Sequence, residues 1–103
     1  MILYNITFKV DLDITNEWER YMKQIYIPRM YDTGKFDNHR LCRLMGVEES
    51  DGFTYSLQFI CPNMVTYQLF QEKDAYQIQK GHAIRYQNRY VSFTTIMKVI
   101  DQE

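Results

Sequence analysis

Apolar and polar residues alternate from the first positions of the chain. Ile2, Tyr4, Ile6, Phe8 and Val10 fall on one side and Asn5, Thr7 and Lys9 on the other, the pattern of a half-buried strand. The polar stretch from Asp11 to Thr15 reads as a turn, with Asn16 as N-cap and Glu17 and Glu19 in the first helical turn, where the helix dipole favours carboxylates. Trp18, Tyr21, Met22 and Ile25 then recur at helical spacing and predict a first helix with one apolar face. Pro28 removes a backbone donor, so that helix should kink or change character near Tyr26 and Ile27, and Gly34 should stop it. Strand two is expected from Asn38 to Glu48 and strand three from Phe53 to Cys61. On strand three Phe53, Tyr55, Leu57, Phe59 and Cys61 share one side, while Thr54, Ser56, Gln58 and Ile60 share the other. Pro62 and Asn63 end that strand and cap a second helix from Met64 to Lys80, with Leu69, Phe70, Lys73, Tyr76 and Gln77 along one stripe. Gly81 leaves open whether His82 to Arg89 continues this helix or forms a separate one, and Tyr90 to Ile100 reads as the last strand before a frayed tail.

The resulting order, β-α-β-β-α-β, is the ferredoxin-like α+β arrangement: a four-stranded antiparallel sheet with both helices on one face. Asp51-Gly52, between two apolar-rich runs, predicts a two-residue type I′ hairpin turn. That turn would pair Ser50 with Phe53, Glu48 with Tyr55, Leu44 with Phe59 and Cys42 with Cys61. With the odd side of strand three turned to the helices, Cys42, Leu44 and Gly46 would lie beside it. Leu41, Arg43, Met45 and Val47 would then share the open face with Ser56, Gln58, Ile60, Leu3, Asn5 and Thr7. Such a face is too apolar for solvent and too polar for a core, and marks an interface with a second copy of the chain.

The length, 103 residues, suits a single domain spanning 1–103 with a real core. A hydrophobic fraction of 46% that includes nine Tyr and six Phe argues for a globular fold and against disorder. Twelve basic residues against thirteen acidic ones, a formal charge of −1, supply no positive field for nucleic acid. The chain starts directly on a strand pattern, with no basic leader and no long apolar run, so neither export nor membrane insertion is expected and a cytoplasmic location is. Cys42 and Cys61, cross-strand neighbours in the hairpin register, read as reduced, buried thiols.

Several short segments together resemble a known family. Ile2 to Thr7, Trp18 with Met22, Ile27-Pro28, Thr33 to Phe36, Tyr55 to Phe59 and Phe93-Thr94-Thr95 look like the uncharacterised bacterial family called domain of unknown function 4286, over nearly the whole chain. The resemblance implies a ferredoxin-like fold similar to the dimeric α+β barrel proteins, in which two sheets face each other in a homodimer. That wider group includes small monooxygenases, isomerases and haem-degrading enzymes whose ligands commonly lie between sheet and helices. Relatives often carry a His two residues before the proline of the first helix, where this chain has Tyr26. A neutral phenol with a pKa of about 10 cannot replace an imidazole as base or metal ligand at pH 7, so neither metal nor cofactor is expected.

Two constellations could carry function. Trp18, Tyr21, Tyr26 and Tyr4 could line an aromatic pocket between the first helix and the sheet, suited to a flat apolar ligand held by a phenol, or they could simply fill the core. Arg43, Gln58, Asn5 and Thr7, with Met45 beside them, would cluster on the sheet face and either hold a carboxylate or pair across the dimer. His39 and His82 are the only imidazoles, neither has a partner at metal-ligand spacing, and each reads as a surface or helix-end residue. Phe53 and Tyr55 sit at the wrong parity to stack RNA bases on an open sheet. The function expected is a homodimer binding a small, partly apolar molecule in the cleft between the first helix and the sheet, with no catalysis asserted. The alternative is a non-enzymatic protein-protein interaction module.

Overall fold

The computed structural model describes residues 1–102. Four strands, β1 (Ile2–Asp11), β2 (Asp37–Arg43), β3 (Gly52–Cys61) and β4 (Tyr90–Lys98), form one antiparallel sheet in the order β2-β3-β1-β4. One helical run follows β1: a 3₁₀ turn (Leu12–Ile14), α1 (Thr15–Tyr21), a π turn (Met22–Tyr26) and α2 (Ile27–Asp32). A second, α3 (Met64–Lys73) and α4 (Ala75–Arg85), joins β3 to β4. This is the expected ferredoxin-like fold. The even residues Tyr4, Ile6, Phe8 and Val10 of β1 and the odd residues Tyr55, Leu57, Phe59 and Cys61 of β3 are buried with Trp18, Met22, Met30 and Phe70 from the helices.

Local chemistry explains the helical irregularities. Pro28 has no N–H to return to the preceding turn, and there the chain widens: the N–H of Ile27 reaches back five residues to the carbonyl of Met22. The predicted change of character near Tyr26 is this π turn, and it rotates Tyr26 and Ile27 inward together. Asn16 is not the N-cap. The chain enters α1 straight from the 3₁₀ turn, whose Leu12 carbonyl accepts from the Thr15 hydroxyl. Gly34 does stop α2, with a left-handed φ of 72°, and Asn63 does cap α3 through Thr66 N–H. The second helical run breaks at Asp74 rather than at Gly81. Its buried stripe is Phe70, Ala75, Ile78 and His82, whereas Leu69 and Tyr76 of the expected stripe are exposed.

The β2–β3 register differs from the expected one. Arg43 pairs with Tyr55, Cys42 with Ser56, Leu41 with Leu57 and His39 with Phe59, and residues 44–51 form a loop closed by Leu44 N–H on the Thr54 carbonyl. Gly52 is no turn residue but the first residue of β3, where a Cβ would sit 2.5 Å from the Val10 carbonyl oxygen. Close backbone approach, not positive φ, requires glycine at this position. The left-handed glycine lies earlier, at Gly46 with φ 75°. A bulge between Asp37 and His39, with Asn38 at φ 49°, shifts the pairing by one residue and confines the changed parity to His39–Arg43. In consequence Cys42 is exposed on the open face and Cys61 is buried on the helix face, so they are not cross-strand neighbours.

Candidate functional site

Trp18, Tyr21 and Tyr26 converge, but not on an empty cleft under the first helix. Trp18 packs on Tyr55 with ring centroids 4.5 Å apart and on Phe8 at 5.2 Å, and the Tyr55 hydroxyl donates to Glu19 at 2.6 Å. Around these rings the space between helix and sheet is filled. Tyr4 belongs to a second aromatic group, 5.6 Å from each of Phe36, Tyr67 and Phe70.

What Trp18, Tyr21 and Tyr26 surround is His82. Its ring, 2% exposed, lies 5.7 Å from Tyr26, 6.0 Å from Tyr21, 5.1 Å from Phe8 and 4.4 Å from Tyr90, centroid to centroid. The Trp18 indole Nε1–H donates to His82 Nε2 at 2.8 Å. Burial pushes the imidazole pKa down to about 4, so the ring is neutral at pH 7. An indole can only donate; Nε2 must therefore be the bare nitrogen, and the ring proton resides on Nδ1. His82 does lie in the last turn of α4 but is buried rather than at the surface, whereas His39 is exposed and bonded to the Tyr31 hydroxyl at 2.7 Å. The signal that could have found His82 is the spacing of Ile78, His82 and Tyr86, which continues one helical face through Gly81.

A cavity of about 220 Å³ opens on the far side of His82, between α4 and the β1–β4 half of the sheet. Ile6, Phe8 and Ala83 give it apolar walls; Tyr26, Gln79, His82, Tyr90, Ser92 and Thr94 give it a polar lining with no charged residue. The Tyr26 phenol is held well above its ordinary pKa, first by burial and then by the nearby phenols of Tyr4, Tyr21 and Tyr90. Burial likewise pushes Tyr4 up to about 12. The Tyr4 hydroxyl is buried without a hydrogen-bond partner, since neither Gln79 nor Thr94 beside it reaches bonding geometry.

Of the predicted sheet-face cluster, Asn5, Thr7 and Gln58 share the open face. Ser56 Oγ donates to Asn5 Oδ1 at 2.6 Å, Asn5 Nδ2 to Thr7 Oγ1 at 3.2 Å, and Gln58 pairs across from Asn5. Arg43 and Met45 do not join them. The altered register turns Arg43 to the helix side, where it lies over the Phe53 ring at 3.8 Å and pairs with Glu49 at 3.1 Å, and Met45 projects from the 44–51 loop. There Arg43 lines a second, charged cleft of about 380 Å³ with Glu19, Lys23, His39 and Tyr55. Val91, Phe93 and Met97 of β4, in register with Lys9, Thr7 and Leu3, complete the open face and are all exposed.

A family model matches residues 1–100 of the sequence. The chain belongs to the family described as a domain of unknown function (DUF4286). No curated protein matches it. Solved structures with the same fold include a mutant of MhuD with two manganese protoporphyrin IX bound per active site, at a TM-score of 0.72 and 13% identity over 100% of this chain and 98% of that one. HapK from Hahella chejuensis gives a TM-score of 0.74 at 8% identity, over 100% of this chain and 96% of the other. SnoaB, a cofactor-independent oxygenase from Streptomyces nogalater, gives 0.68 at 10% identity, over 98% and 95%. These likenesses establish for this DUF4286 chain the ferredoxin-like fold. Among the described residues no helix is long and apolar enough to cross a membrane.

Proposed function

We propose that this protein is a homodimeric binder of a small, uncharged, partly apolar molecule. The observation that carries the reading is the cavity under α4: it joins the buried Tyr26 and His82 to hydroxyl and amide groups and to apolar walls, with no charge among them. Apolar enclosure with a few convergent polar groups is the usual character of a small-molecule site. On this reading the ligand lies on the α4 flank of Tyr26, with Trp18 and Tyr21 as packing around it. SnoaB, of the same fold, is a cofactor-independent oxygenase, in keeping with a site made of side chains alone.

The porphyrin bound by MhuD does not suit these residues. At about 220 Å³ the cavity is smaller than those that enclose drug-sized ligands, about 300–1,000 Å³, and the lone pair on His82 Nε2 is taken by Trp18.

A second copy covers the open sheet face. Val91, 68% exposed, and Phe93, 63% exposed, stand with Met97 beside the Asn5–Thr7–Ser56 hydrogen-bond chain, an apolar border around a satisfied polar centre. Native mass spectrometry of protein purified from its own host tests both parts. A dimer releasing a stoichiometric neutral molecule on denaturation is the expected result. A ligand-free species would instead favour an interaction module, and a monomer would refute the paired-sheet assembly. Met97→Glu, which puts a charge in the interface and leaves the cavity lining untouched, should convert the dimer to monomer by light scattering at micromolar concentration.

A further inference from the structure

We infer that the cavity selects an uncharged single-ring molecule bearing a hydrogen-bond acceptor such as a ketone oxygen, received by His82 Nδ1–H, and that Trp18 is the positioning residue that fixes this polarity. This rests on the ligand-binding reading above and specifies its chemistry.

Only one polar group in the lining has a dictated role. Gln79, Ser92, Thr94 and the tyrosine hydroxyls can each donate or accept, so they restrict a ligand little. His82 cannot. Trp18 holds Nε2 as acceptor, which leaves Nδ1 as donor, and among the described residues Trp18 is its sole side-chain hydrogen-bond partner. Reversing the tautomer would set two N–H groups against each other inside the core. The imidazole therefore offers the ligand a proton donor and no base. A ligand lacking an acceptor would leave that donor unsatisfied beside Phe8 and Tyr90.

Charge is disfavoured from both signs. A carboxylate would be desolvated with no cation in the lining. An ammonium could find the faces of Phe8, Tyr26 and Tyr90, but would meet the Nδ1–H dipole head on. Volume limits the remainder to roughly one ring, since the cavity is below the size that suits larger ligands.

Acetophenone, its near-isostere cumene, benzoate and benzylamine provide a matched set of probes for nitrogen-15 NMR titration of the full chain. Acetophenone should bind about tenfold more tightly than cumene, the value of one buried hydrogen bond, and shift the His82 ring nitrogens. Benzoate and benzylamine should bind more weakly than either. In Trp18→Phe the imidazole should populate both tautomers, and the preference for acetophenone over cumene should shrink while cumene affinity holds. Equal binding of acetophenone and cumene would overturn the inference and leave the cavity reading standing; failure of all four probes would overturn both. Should Trp18→Phe not fold, the wild-type spectrum alone still decides, because protonation on Nε2 would refute the assigned tautomer.

Discussion

β1 divides the helix-facing side of the sheet into two unlike halves. Toward β3, Tyr55, Leu57 and Phe59 are buried beneath the first helical run, with Trp18, Tyr31 and Phe36 packed onto them. Toward β4, the residues of the same facing, Ser92, Thr94 and Ile96, stay exposed, and only Tyr90 is drawn in against His82. The backbone pairing is equally regular on both sides. What differs is side-chain volume: large apolar groups close the β3 half, whereas hydroxyls on β4 leave a gap beneath α4 that protein atoms do not fill. A sheet of this fold can thus spend one flank on stability and keep the other for a ligand.

Removing volume from each half should expose the contrast most strongly. Leu57→Ala, in the closed half, should cost about 2–5 kcal/mol in denaturant unfolding, since it leaves a cavity in a packed core. Thr94→Ala, at the open edge, should stay within about 0.5 kcal/mol. Comparable losses at the two sites would mean that the halves are packed alike.

His82 sits on the boundary and links it to pH. Its folded pKa of about 4 lies below the ordinary 6.5, because burial penalises the charged ring. Between these values the unfolded chain takes up a proton that the native protein refuses. Stability from this group is therefore complete above about pH 6.5, falls as pH drops, and is lost near pH 4, a change of about 3 kcal/mol. Urea melts across this range should show that slope for the wild type and a flatter one for His82→Gln. The same slope in both proteins would show that His82 is protonated as easily in the fold as outside it.

The sequence disclosed the closed half far better than the open one. Alternation in β1 and β3 gave the buried faces residue by residue, because one face of each is apolar throughout, and Pro28 announced the π turn. The edge strands carried no such signal. In β2 only Leu41 is more than superficially covered, so no hydrophobic repeat outweighs the turn suggested by Asp51-Gly52, and the hairpin register misplaces Arg43 and Met45. A close backbone approach and a left-handed turn both demand glycine, and the residue type cannot tell them apart. His82 is obscured in a similar way: Gly81 leaves a break or a continuation open, yet Gly81 is where α4 closes on Arg29 and Tyr21, which brings the imidazole to Trp18. Tyr26 was recognised as a polar residue among core aromatics, but its cavity depends on what β4 lacks, and missing volume has no period.

The finest test of the two halves adds volume instead of removing it. Ala75 is buried in the second helical run, while Ala83, two turns further along α4, lines the cavity. At Ala75 a leucine must displace packed neighbours, and Ala75→Leu should cost about 1–3 kcal/mol. At Ala83 the side chain has space to enter, so Ala83→Leu should alter stability by no more than about 1 kcal/mol while abolishing the binding of acetophenone. Loss of binding without loss of stability would locate the ligand under α4. If Ala83→Leu destabilises as much as Ala75→Leu, the gap closes in solution and the two halves of the sheet are equally filled.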